Sequence, residues 1–372
     1  MIIYRQAEKE EYKAIIELAN EVFKLDFEKL LPKTFYKEGD VHSITKVAQR
    51  EDGKLIAEVC VLPQEVTVGD IKLKSNYLGT VSVHENHRGE GHMKALMNIC
   101  LEEMKGKYDL SVLGGRRQRY EYFGYTYGGV QWEYTINIHN IRHALKDVDS
   151  SGISFVPMSG LKNSCEYIES FNNNRHVNTY RNSELIEKIV TSYHQTPVMV
   201  LENDKLIGYI LTTDNNLNIT ELALNNYADT KKVVKAFFEK FGITKTVVMM
   251  PEYEMELHKE ISDFAESYNT IPCCMFNIFD FAKVIKAFMT VKNSCQKLSY
   301  GRFSAIMDNQ PVTITVDENG VNVEKTADET AVVLSKMEAQ KLLLTPFGRH
   351  MKLNVPADWF PMPLFWYVSD CF

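Results

Sequence analysis

The run Arg88-Gly89-Glu90-Gly91-His92-Met93 sets two glycines around an acid, between an apolar strand, NYLGTVSV (76–83), and a stretch of helical periodicity. In that stretch Met93, Leu96, Met97, Cys100 and Met104 fall on one face. A helix start presents unpaired N–H groups and the positive end of a dipole, which suits a pyrophosphate. Glycine at 89 and 91 lets phosphate oxygens reach the main chain with no Cβ in the way. The run is not GxGxxG and lacks the GK[ST] ending of a P-loop, so NAD and ATP lose support as ligands. By itself the pair of glycines also fits a plain tight turn. Arg116, Arg117 and Arg119 form the other local basic cluster, either a solvated helix face or a contact for phosphates.

The surrounding elements must hold that loop in place. Residues 2–7 read as a strand, and Tyr12, Ile15, Ile16, Ala19 and Phe23 give the following helix one buried face. Strands dominate 43–83, with turns at Glu51-Asp52-Gly53 and Val68-Gly69-Asp70. LSVLGG (110–115) is a strand, followed by a short helical segment, RRQRYEYF. This order fits a layered α/β domain. The second third repeats the plan. LENDKLIGYILTT (201–213) matches REDGKLIAEVCVL (50–62) around a shared KLI, and a helix at 230–241 precedes the strand TKTVVMM. Asn225–Asp229 stands where the glycine loop was, so the copy lacks the phosphate site. Beyond about 285, strands at GRFSAIMD, PVTITVDENGVNVEKT and ETAVVL lead to a helix opened by a capping box, Ser335 to Glu338. The aromatic end, VPADWFPMPLFWYVSDCF, should dock on another part of the protein or form an exposed oligomer contact.

At 372 residues the chain calls for two or three domains. Its 45% apolar and 24% charged residues are ordinary for a globular protein. A net charge of −7 without a basic bias argues against nucleic acid as the main partner. There is no membrane-spanning stretch and no secretory leader. The seven scattered cysteines lack zinc-ligand spacing, which suits reduced thiols in the cytoplasm. No metal is assigned.

Arg88-x-x-Gly91-x-Met93, after a strand and before a helix, resembles the Arg/Gln-x-x-Gly-x-Gly/Ala acetyl-coenzyme A motif of the GCN5-related N-acetyltransferases. Tyr120-Glu-Tyr-Phe-Gly124-Tyr125 stands where that superfamily has its Tyr-x-x-x-Gly-Phe run. Met93 departs from the usual Gly or Ala. With HENHRGEGHMKALM, YEYFGYTYGG and a terminal LFWYVSDCF, the whole chain resembles the enhanced-intracellular-survival (Eis) acetyltransferases, although HRGEG is less basic than HRRRG.

The resemblance implies an α/β (α+β) fold: a catalytic domain at 1–145, a degenerate copy at 146–284 and a sterol-carrier-like α+β domain at 285–372. It implies that acetyl-CoA lies against Val81-Ser82-Val83, the loop from Arg88 through Gly89, Glu90, Gly91, His92 and Met93 to Lys94, and Gly115 and Arg116. Tyr120 would be the acid for the departing thiolate and the Phe372 C-terminal carboxylate the base, with His84 and Glu85 as local alternatives and the Val83 N–H as oxyanion donor. Asp26, Glu28 and Asp370 would give an acidic pocket for a small polycationic amine such as an aminoglycoside. A protein or peptide amine is the alternative acceptor, and a non-catalytic CoA- or lipid-binding module the alternative function. A homo-oligomer, possibly a hexamer, is the implied assembly.

Overall fold

The computed structural model describes residues 1–36 and 39–372. Three sheets organise them. In the first, strands run in the order Ile2–Gln6, Thr45–Arg50, Leu55–Val68, Ile71–Val83, Leu110–Leu113, Cys274–Ile278 and Thr126–Gly128, with Val177–Thr179 added on Leu55–Val68. The second runs Ile153–Pro157, Thr196–Glu202, Lys205–Thr213, Asn218–Leu224, Lys245–Pro251, Gln131–Asn137 and Ser267–Ile271. Position by position the two follow one plan. In each, the fourth and fifth strands pair in parallel, joined by a crossover helix: His92–Met104 in the first and Thr230–Phe241 in the second. The KLI-bearing strands, Leu55–Val68 and Lys205–Thr213, both occupy third place.

The sixth strand of each sheet comes from the other half of the chain. Gln131–Asn137 pairs with Lys245–Pro251, and Cys274–Ile278 pairs with Leu110–Leu113. Boundaries at 145 and 284 therefore do not separate the sheets. A strand's own residues do not name the ladder it joins, because either partner satisfies the same N–H and C=O groups.

Helix Phe281–Cys295 lays its apolar face, including Phe281, Ile285 and Phe288, over a four-stranded sheet made of Val332–Leu334, Gly301–Met307, Gln310–Asp317 and Gly320–Glu324. Ser335 caps helix Lys336–Leu344 as its spacing predicts, with Glu338 returning the bond to the Ser335 N–H. Ser335→Ala is expected to cost about 1 kcal/mol, read as a lower urea midpoint for the C-terminal region. The aromatic tail docks inward: Trp359, Met362, Leu364, Trp366 and Phe372 are buried in one core shared with the first sheet. Among the described residues no helix is long and apolar enough to cross a membrane.

Candidate active site

The site begins with a fault in the first sheet. Glu58 faces Ser82 and Cys60 faces Gly79, so Thr80 and Val81 together oppose one residue. Such a bulge bends the strand, and Thr80 takes a φ of 42°, unusual for a β-branched residue. On the other side, parallel pairing with Leu110–Leu113 ends at Leu78. Beyond that point the two strands part, and the gap opens into a cavity of about 1050 Å³.

The phosphate-type loop forms one wall. Gly89 and Gly91 have φ of 84° and 88°, and a Cβ at either would meet nothing within 4 Å, so it is the backbone turn that demands glycine there. The first helical bond runs from the Ala95 N–H to the Gly91 carbonyl at 3.0 Å, which leaves the N–H groups of the first turn without intrahelical acceptors. Val81, Val83, Arg88, Gly89, Gly91, His92, Met93, Lys94, Gly115 and Arg116 all line the cavity. Ser82 and Glu90 do not. The Ser82 hydroxyl donates to the Thr80 carbonyl at 3.2 Å. Glu90 bonds His92 Nε2 at 2.9 Å and His87 Nδ1 at 3.2 Å, and these contacts hold its carboxyl below the ordinary value.

Tyr120 and Phe372 line the same cavity. Helix Arg117–Tyr120 brings the tyrosine ring over Gly115, where a Cβ would lie 2.3 Å from it. Burial raises the phenol above its ordinary value and Arg119 partly offsets that rise. The Phe372 ring rests on Gly79, where a Cβ would lie 2.2 Å away, and stacks on Phe35 with centroids 6.0 Å apart. Gly79→Ala should displace the terminal ring and cost about 1–3 kcal/mol, with activity falling at least as far, measured by thermal unfolding and thiol release.

Charged and polar groups from both halves hold the tail. Lys33 donates to the carbonyls of Ser369 and Cys371, both at 2.5 Å, and Gln64 donates to the Asp370 carbonyl at 2.6 Å. Loss of hydration draws the Lys33 amine down to about 8. Arg181, wholly buried, forks onto Asp370 at 2.9 and 3.1 Å and reaches Glu221 at 3.0 Å. Arg175 joins Glu221 at 2.6 Å, and Gln195 meets the Ser369 hydroxyl at 3.0 Å.

Among the described residues, Asp26, Glu28 and Asp370 do not come together as an acidic pocket on this cavity. Asp370 is 4% exposed and committed to Arg181. Asp26 caps helix Phe27–Leu30 and pairs with Lys29 at 2.8 Å, while Glu28 accepts from Tyr12 at 3.2 Å; neither lines the cavity. That side is walled by Val22, Phe23, Leu25, Phe27, Leu30 and Leu31. His84 and Glu85 also lie off the cavity lining, with His84 3.3 Å from Glu21. Lys33, Gly79 and Arg181 escaped the sequence reading. Only Gly79, a glycine inside a strand pattern, carried a local signal.

Residues 3–128 match the family model described as an acetyltransferase (GNAT) domain. No curated protein matches the sequence. In fold, the chain is similar to a protein of unknown function from Enterococcus faecalis V583 described as a probable N-acyltransferase (18% identity, 96% of this chain and 95% of that one, TM-score 0.68). It is similar also to a GCN5-related N-acetyltransferase from Anabaena variabilis (16%, 100% of both chains, TM-score 0.66). A third similar structure is Eis1 from Mycobacterium abscessus (14%, 100% and 99%, TM-score 0.65). The matched segment contains the bulged strand, the glycine loop and Tyr120, so the cavity opens within an acetyltransferase domain of GNAT type, and the protein is an acyltransferase.

Proposed function

We propose that this protein transfers the acetyl group of acetyl-CoA to a primary amine in the cavity at the bulge. The observation that carries the reading is that the glycine loop, Tyr120 and the terminal Phe372 line one cavity. The pyrophosphate meets the free N–H groups at Gly91–Met93, with Arg88, Lys94 and Arg116 supplying positive charge. The pantetheine arm runs beside Val81–Val83. The thioester oxygen lies against the bulge at Thr80–Val81, whose extra residue stands outside the ladder, whereas Val83 is paired opposite Ala57.

The amine nitrogen attacks the thioester carbon and its surplus proton passes to the Phe372 carboxylate. The C–S bond then breaks, and the Tyr120 hydroxyl protonates the departing sulfur. Solvent returns the proton from the carboxyl to the phenolate. The acceptor is an amine on an apolar body, because the wall beside Phe372 is Val22, Phe23, Leu25, Phe27, Leu30 and Leu31. A polycation would find none of Asp26, Glu28 and Asp370 free on that wall. The second sheet, without a glycine loop, serves to hold the tail, and the helix-on-sheet unit from Phe281 onward is read as sterol-carrier-like and delivers the C-terminus.

Free-thiol release from acetyl-CoA is the test, against arylalkyl and alkyl monoamines, polyamines, aminoglycosides and lysine peptides. Turnover should be highest with apolar monoamines and disappear when one residue is added after Phe372. Coenzyme A binding without turnover on any amine would overturn the reading, and preference for aminoglycosides would overturn the substrate class.

A further inference from the structure

We propose that His87, Glu90 and His92 form a binding site for a zinc ion at the edge of the cavity. One ligand atom from each lies within 4.8 Å of the other two. Glu90 Oε2 is 3.2 Å from His87 Nδ1 and 2.9 Å from His92 Nε2. Bonds of about 2.0–2.2 Å in a tetrahedral shell place neighbouring ligand atoms roughly 3.3–3.6 Å apart, so the two carboxylate–imidazole spacings lie close to those of such a shell. Positive φ at Gly89 and Gly91 folds the loop back on itself and sets the three side chains in one cluster.

Two further features belong to metal ligands. The ring of His92 is fixed from behind: its Nδ1 is 2.8 Å from the Tyr4 hydroxyl. A hydroxyl both donates and accepts, so His92 can turn its Nε2 lone pair to a metal, carry its proton on Nδ1 and keep the bond to Tyr4. His87 and His92 also line the cavity, which leaves the fourth coordination position open to an oxygen ligand from that side. Two imidazoles with one carboxylate select zinc over calcium or magnesium, which take oxygen ligands. Acetyl transfer as described uses none of the three side chains as acid or base.

The test is a zinc titration of the whole chain against a chromophoric chelator, with Co²⁺ as a spectroscopic substitute. Wild type should hold one equivalent that His87→Ala and Glu90→Gln lose. Both positions are accessible enough to be replaced without opening the core. Tyr4→Phe should weaken binding roughly 10–100-fold, as loss of a ligand's orienting partner does. The Co²⁺ form should show the strong visible bands of a four-coordinate ion with no sulfur charge-transfer band. Equal zinc binding by wild type and His87→Ala, or a sulfur band from any of the seven cysteines, would overturn the site. So would failure of wild type to take zinc from the chelator.

Discussion

Tyr120→Phe is expected to lower kcat roughly 10²–10⁴-fold while leaving the affinity for acetyl-CoA nearly unchanged. The ring is 6% exposed and lies over Gly115, so phenylalanine keeps its packing and removes only the hydroxyl. In the mechanism we propose, what is lost is the proton that the departing thiolate takes. Burial raises the phenol and Arg119 partly reverses that, so the proton stays on oxygen past the ordinary tyrosine range. The sign of the pH dependence follows. Below the raised value the acid form is present and the rate holds. Above it the phenolate has no proton to give and the rate falls. A kcat–pH profile should therefore show an alkaline limb above pH 10 in wild type and none in the variant. A merely structural tyrosine would change both profiles alike, and that result would remove Tyr120 from the mechanism.

The second large effect is expected at a position far from the reacting atoms. Arg181→Met should cost about 3–5 kcal/mol, because it leaves Asp370 and part of the charge on Glu221 buried without a partner. Arg175 remains on Glu221, so Asp370 bears most of the loss. The residue after it but one is Phe372, so activity should fall beyond the fraction unfolded, as terminal-carboxylate placement degrades. Arg181→Lys should recover part of the stability but not the fork onto Asp370. The same cluster sets an acid limit. Burial pushes the Glu221 carboxyl up, but Arg181 and Arg175 outweigh it and bring it down to about 2. A carboxyl so depressed contributes stability that is complete above its unfolded value, near 4.5, and is lost as pH falls from there toward about 2. Removing Arg181 should move that loss to higher pH. Urea midpoints between pH 3 and pH 7 for both proteins check it, and curves that stay parallel would separate Glu221 from acid unfolding.

Much of the local structure was legible because its signals are short in range. The turn at Val68-Gly69-Asp70, the capping box at Ser335 and the glycine loop at 88–93 each depend on backbone geometry within a few residues. The strand–helix–strand order in each half followed from an apolar strand, a helical stripe and another strand, and the structure pairs those strands in parallel. Gly79 was legible in principle, since glycine in a strand marks a bulge or a close approach, but what approaches it is residue 372.

The sequence by itself determined the elements around the loop and their order, the repeat of one plan and the residues of the loop, but left Gln131–Asn137, Cys274–Ile278 and helix Phe281–Cys295 unassigned. Tertiary structure alone decided that Gln131–Asn137 and Cys274–Ile278 trade sheets, that the aromatic tail turns inward, and that Asp370 holds the tail rather than a substrate. The physical reason is one of range. Periodicity and turn chemistry act along the chain, whereas the choice between ladders, and the choice of which carboxylate is buried against which guanidinium, rests on desolvation shared by residues up to 338 positions apart, as Lys33 and Cys371 are.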